Sequence, residues 1–374
     1  MKLEAASEDP EALVKLLRSD TVLSQLHASD WANLLGQARS ALLMARVANC
    51  LSERELLGEV PERPRSYLVR SAEVADRHQH AVRWELAQIQ HALKRLSGPV
   101  LVLKGCAYIA LKLPASRGRT VSDIDVLVPK VQVGSAESAL LAAGWIPQER
   151  DLYNQRYYRK WMHEIPPLTH VKRGTVIDLH HTITAPTSSF AVDGARLIEA
   201  SRPIDPADPQ WRVLQPVDMV LHSAVHLFQE GEFEHGLRDL LDMDWLLQHF
   251  EKVEDGFWPQ LLARAGELKL QVPLHHALHH IERLFGRRVP DGHRAAVVAL
   301  APAWPQRVAM AWLLTRALRP HHPSAEQGGE ALARALLYVR SHWLRMPLHL
   351  LVPHLVRKAW MRHFPATQDE PVAR

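Results

Sequence analysis

Apolar residues recur at helical spacing from about Pro10 to Ser97, as in Leu13, Leu16 and Leu17 and later in Leu86, Ile89, Leu93 and Leu96, and predict three to four helices. Pro61 and Pro64 with their charged neighbours mark a loop, and Gly98-Pro99 stops the last of these helices. The period then shortens. Val100-Leu101-Val102-Leu103 is brief, aliphatic and flanked by breakers, which reads as a buried strand. Gly105 opens a helix to about Leu113, Pro114 ends it, and a polar loop from Ala115 delivers the chain to a second strand, Ser122-Asp123-Ile124-Asp125-Val126-Leu127-Val128. Val131 to Ala143 reads as a helix closed by Gly144 in the left-handed conformation. Tyr157 to Ile165 and Leu168 to Val171 read as strands on either side of Pro166-Pro167, and Lys172-Arg173-Gly174 turns the chain into a strand from Thr175 to His180. A stretch rich in Pro, Asp and Ser, about Ala185 to Pro216, reads as a linker. Helical periodicity returns at Val217 to Leu221 and continues nearly to the end, with breaks expected at Pro259, Pro273, Pro290, Pro302, Pro320 and Pro347. The expected class is α+β: a mixed-sheet core over residues 98–185 between helical regions at 1–97 and 186–374.

A chain of 374 residues with 47% apolar and 23% charged residues can bury a sizeable core. Its 45 basic and 41 acidic side chains leave a net charge of +4, too weak to point to long nucleic acid as a partner. Two cysteines, Cys50 and Cys106, form no CxxC pair or zinc-like spacing, so neither a disulfide framework nor a structural metal is expected. The first ten residues are acidic and lack an apolar signal core, and no run approaches the roughly eighteen apolar residues of a membrane span. A cytoplasmic location follows as the expectation.

The candidate chemistry lies in the second strand. Side chains alternate along a strand, so Asp123 and Asp125 point the same way while Ile124, Val126 and Val128 point into a core. Two like charges aimed at one space raise each other's pKa unless a cation sits between them. Hard oxygen ligands suit Mg²⁺ or Mn²⁺ bridging substrate phosphates. Asp178 shares a strand face with His180, and if that strand neighbours the first pair, three carboxylates converge. The plain alternative is a solvated polar strand face. Lys104-Gly105, between a strand and a helix, has the layout in which backbone N–H groups and a point charge face phosphates, and Arg117, Arg119 and Ser122 lie on the loop that would border them. His163, Glu164, His170 and His180 are candidates for the acceptor side.

These runs together resemble the nucleotidyltransferase superfamily related to DNA polymerase β. A closer resemblance is to bacterial nucleotidyltransferases of largely uncharacterised role. It is carried by Lys104-Gly105, by Arg119-x-x-Ser122-Asp123-Ile124-Asp125, by Val176-Ile177-Asp178-Leu179-His180, and by Leu214-x-Pro216-x-Asp218-Met219-Val220-Leu221-His222 with His226 and Leu237-x-Asp239-Leu240-x-x-Asp242. The resemblance covers about residues 98–250. It implies a minimal nucleotidyltransferase domain, an NTP co-substrate, a divalent metal, and metal ligands at Asp123, Asp125 and Asp178. One departure is that the superfamily's Gly-Gly/Ser turn is Lys104-Gly105-Cys106 here, with a longer gap to the first acid.

The expected reaction is transfer of a nucleoside monophosphate to a hydroxyl, phosphate or amine acceptor with release of pyrophosphate. Two other classes compete. One is a non-catalytic nucleotide-binding partner of a peptide, protein or glycan-assembly component. The other is a metal-dependent phosphohydrolase using His222, His226 and Asp239; His222 and His226 stand four residues apart on one helix face, a spacing more typical of packing. His275-His276 and His279-His280 also read as packing. The basic, aromatic run 338–360 could touch an anionic membrane, but prolines at 347 and 353 interrupt its stripe, and a bundle helix with snorkelling arginines is the reading it favours.

Overall fold

In the computed structural model, residues 11–149, 151–229 and 231–345 are described. The amino-terminal part forms four helices, α1 (Ala12–Arg18), α2 (Ala28–Ser40), α3 (Met44–Glu53) and the long α4 (Glu62–Leu93). Their apolar stripes meet in a core of their own, with Trp31, Leu34, Leu51 and Leu68 almost fully buried.

A seven-stranded mixed sheet follows. Its strands are β1 (Val100–Val102), β2 (Ile124–Leu127), β3 (Trp145–Pro147), β4 (Leu168–His170), β5 (Val176–His180), β6 (Arg202–Asp205) and β7 (Asp208–Val213), in the order β3-β4-β5-β2-β1-β7-β6. The central strands β1 and β2 are buried at every position and run antiparallel to each other. β5 lies parallel to β2 in a register that sets Asp125 opposite Asp178 and Leu127 opposite His180. Residues opposite one another in a ladder share a face of the sheet, so this register sets Asp125, Asp178 and His180 on one face. Between the strands run α5 (Lys104–Ala110), α6 (Val133–Ala142), α7 (Leu152–Trp161) and α8 (Gly194–Glu199).

Seven helices complete the described chain: α9 (Pro216–Gln229), α10 (Gly236–Val253), α11 (Phe257–Glu267), α12 (Gln271–Phe285), α13 (Arg294–Ala299), α14 (Trp304–Ala317) and α15 (Glu330–Arg345). Their apolar faces and the sheet make one continuous core, while Leu237 and Leu241 of α10 reach into the amino-terminal core.

Three local expectations are corrected. The aromatic run at 157–165 is not a strand: residues up to Trp161 belong to α7. Asp151 caps that helix by accepting from the Asn154 amide at 2.9 Å, and Tyr157 and Trp161, one turn apart, meet edge to face with centroids 5.7 Å apart. The segment 185–216 is not a bare linker; it supplies α8 and the β6–β7 hairpin, and β7 pairs parallel with β1. Its prolines sit where strand pairing tolerates them, Pro203 on the edge strand β6 and Pro209 early in β7. Pro259 and Pro273 interrupt nothing, because each occupies the first turn of a helix, where a missing N–H costs little. Of the basic run 338–360, residues 338–345 end α15; Pro347 and the remainder lie outside the described residues, as does the acidic lead before residue 11.

Candidate active site

β2 and β5 bring the acids together. Asp123 immediately precedes β2, Asp125 is its second residue and Asp178 is the third of β5, and one carboxylate oxygen from each lies within 4.8 Å of the others. Ile124, Val126, Ile177 and Leu179 point away into the core and fix the strands from below. Asp125 is 4% exposed; Lys104 Nζ donates to its Oδ1 at 2.9 Å and the His180 Nε2–H donates to the same oxygen at 3.0 Å. Burial alone would raise the Asp125 pKa. Lys104 and His180 outweigh it and hold the group well below the usual carboxylate range.

Asp178 has the opposite balance. Burial, then the like charges of Glu164 and Asp125, push it up to about 8. Its Oδ1 is buried and has no hydrogen-bond partner. An orphaned carboxylate oxygen facing two further carboxylates fits a hard divalent cation, which would satisfy the oxygen and remove the repulsion. His180 is wedged between Asp125 and Glu164, whose Oε2 lies 3.4 Å from Nε2. Burial opposes its protonation, but the bond to Asp125 and the charge of Glu164 prevail and raise its pKa. A second set, His163, Glu164 and His180, also has ligand atoms within 4.8 Å of one another. Among the described residues these two are the sets with reach for a shared ion, and His222, His226 and Asp239 form none.

Asp123 and Asp125 open onto a cleft of about 810 Å³ between the sheet and the carboxy-terminal helices, a volume suited to a nucleotide-sized ligand. Lys104, Gly105, Ser122, Asp123 and Asp125 line one side; His226, Arg238 and Asp239 of α9 and α10 and Arg334 and Tyr338 of α15 line the other. Asp178 stands behind this wall. Gly105 is needed for close packing, since a Cβ there would come within 2.7 Å of Val121 Cγ1 and 2.9 Å of Arg119 Nε. Lys104 itself holds φ +46, a left-handed conformation unusual outside glycine, as it turns its ammonium back onto Asp125.

The loop residues divide. The Ser122 hydroxyl donates to Asp123 Oδ1 at 2.9 Å. Arg119 borders the cleft, but its charge is engaged by Asp242 at 2.9 Å and by Asp239 at 3.7 Å. Arg117 lies outside, paired with Glu53 at 2.6 Å and more than half exposed. His170 packs away from the acids, edge to face with Trp145 at 4.8 Å and bonded by Arg173. His163 and Glu164 do stand beside His180.

Long-range partners of the motif loop are the residues that motif spacing does not reveal. Arg46 of α3, fully buried, pairs with Asp242, so one aspartate of α10 holds two arginines. Gly118, at φ +65, rests on the α3 backbone, where a Cβ would meet the Ala45 carbonyl carbon and Arg46 nitrogen at 2.8 Å. The Gln79 side chain of α4 donates to the carbonyls of Ser116 and Arg119. A basic residue, an acidic residue and a glycine in three separate segments carry no local signature of pairing.

A family model described as an uncharacterised nucleotidyltransferase matches residues 27–286. No curated protein and no solved structure matches the chain. The matched span includes α3, α4, the carboxylate strands and α10, the elements that build and brace the cleft, and the chain belongs to this family of uncharacterised nucleotidyltransferases.

Proposed function

We propose that the protein moves a nucleoside monophosphate from an NTP to a hydroxyl, phosphate or amine of an acceptor bound against the carboxy-terminal helices, with release of pyrophosphate. The observation that carries this reading is the convergence of Asp123, Asp125 and Asp178 beside a nucleotide-sized cleft in a nucleotidyltransferase. Those three side chains would hold divalent metal, which supplies charge neutralisation to the triphosphate and acidifies the attacking group. Lys104 adds a fixed cation on the phosphate side, and Gly105 lets Val121 and Arg119 pack against the turn that carries it. Asp178 would ligate metal through its otherwise unpartnered Oδ1 and take the acceptor's proton at its other oxygen. His180 and Glu164 keep the adjacent carboxylates in place. Most of the acceleration comes from positioning and electrostatics.

The test uses α-labelled NTPs with Mg²⁺ and a cell extract as the source of acceptors. Wild type should move label to a product and release equimolar pyrophosphate, and Asp123→Asn, which removes a ligand at nearly constant shape, should lose both while melting at the wild-type temperature. Equal turnover by a folded Asp123→Asn protein would contradict the reading. Tight Mg²⁺-NTP binding without pyrophosphate from any acceptor would favour a nucleotide-sensing partner protein instead.

A further inference from the structure

Helix α15 is apolar on two sides. Ala333, Leu337 and Ser341 face inward and are buried, whereas Leu332, Leu336, Val339 and Trp343, at the i, i+4, i+7, i+11 spacing of a single stripe, are 46–64% exposed. Helix α14, packed against it, repeats the pattern: Trp304, Val308 and Trp312 stand four residues apart and are 42–67% exposed, and the Arg316 guanidinium covers the Trp312 ring at 4.1 Å. Core packing accounts for the inner stripes and leaves the outer ones facing water, which normally marks a docking surface.

Charge identifies the occupant. Residues 291–368 carry ten arginine or lysine side chains and three acidic ones, Asp291, Glu326 and Glu330, while the rest of the chain has more acids than bases. Glu330 is buried and paired with Arg319, Arg294 is paired with Glu282 and Asp291, Arg334 lines the cleft, and Arg340 donates to the Phe228 carbonyl. Exposed Arg307 adds charge beside the α14 stripe. The sequence after the described part of α15 is also basic and apolar, without an acid until Asp369. Folding that segment over the stripe would bring like charges together, so complementarity calls for an anionic cover from outside. Tryptophans beside aliphatics and arginine are the composition of a bilayer interface rather than of a polar nucleic-acid groove. No single helix among the described residues is long and apolar enough to cross a membrane, although residues 291–299 and α14, bent by 107°, pass that test of length and composition together.

We infer that the outer face of α14 and α15 docks on an anionic phospholipid surface, inserting Trp304, Trp312 and Trp343 among the headgroups with arginines against lipid phosphate. The docking is independent of whether the cleft turns over nucleotide. It adds to the bundle-helix reading of residues 338–345: α15 packs through Leu337 and Ser341, and Trp343 faces outward on the other side.

The test is sedimentation of the full-length protein with vesicles of phosphatidylcholine alone or containing about one-third phosphatidylglycerol, near physiological salt. Binding to the anionic vesicles only is expected. Trp312→Ser with Trp343→Ser should weaken it at least about tenfold and Arg307→Glu at least about fivefold, with unchanged melting temperatures. Three results would overturn the inference: no binding to anionic vesicles, equal binding to neutral ones, or full binding by the folded double tryptophan variant. A stable dimer that the tryptophan substitutions dissolve would also overturn it, since a second copy would then cover the face.

Discussion

Asp178 bears a cost in the metal-free protein that its neighbours do not. Its folded pKa of about 8 lies far above that of an unfolded aspartate, so the unfolded chain releases this proton first as pH rises. Metal-free stability therefore falls from about pH 4 toward 8 on account of this residue. Asp178→Asn removes both the burial penalty and the repulsion from Glu164 and Asp125. It should raise metal-free stability at neutral pH by ~1–3 kcal/mol, seen in urea unfolding with chelator, while abolishing any stabilisation by Mg²⁺. Destabilisation by the substitution would show that the carboxylate is already satisfied without metal. Asp123, just before β2, and Asp125 within it were legible in the sequence because i, i+2 alternation fixes their common face. The partnership of Lys104 with Asp125 was not, since it depends on a lysine held at positive φ, which no spacing announces.

At the scale of elements, the loop between α5 and β2 carries Ser122 and Asp123 into position, and it is gripped from two sides. Asp242 of α10 holds Arg119 and Arg46 in a buried triad, and Gly118 sits flush on α3. Asp242→Asn leaves the buried Arg46 guanidinium without its counter-ion and Arg119 with Asp239 at 3.7 Å, and should cost ~3–5 kcal/mol. Gly118→Ala forces both a left-handed alanine and a contact with backbone, and should cost ~1–3 kcal/mol and weaken Mg²⁺-dependent stabilisation. Thermal melts with and without Mg²⁺ check both; a Gly118→Ala protein matching wild type would mean that the loop can move off α3 freely. Secondary structure was readable where periodicity was clean, as in α4, β1 and β5. It misled where aromatic residues suggested a strand but an aspartate cap and i, i+4 ring contacts made α7, and where the prolines of an edge hairpin mimicked a linker.

In the whole molecule, the helices before the sheet and those after it meet at the carboxylate loop, so the cleft is a property of the full fold rather than of the sheet. That convergence rests on contacts between residues as far apart as Arg46 and Asp242, which a linear reading cannot pair. The helical end also contributes to loss of stability in acid. His276 and His280 of α12 are buried beside Phe228, and burial lowers the His276 pKa to about 3 and that of His280 well below its ordinary value. The unfolded chain protonates both near 6.5, so stability falls as pH drops from about 6.5 toward 3. His276→Leu should flatten this slope, recovering about 2 kcal/mol at pH 5 relative to its effect at pH 8 in denaturant titrations; an unchanged slope would mean that His276 finds a proton acceptor when charged. The central claim is that three aspartates gather divalent metal beside an NTP. The most direct measurement is a crystal structure with Mn²⁺ and a non-hydrolysable NTP, using anomalous scattering to locate the ion. The account predicts a manganese peak contacted by Asp123 and Asp125 with Asp178 facing it and the triphosphate running toward Gly105. A nucleotide bound in the cleft with no ion at these carboxylates, or an ion seated elsewhere, would contradict it.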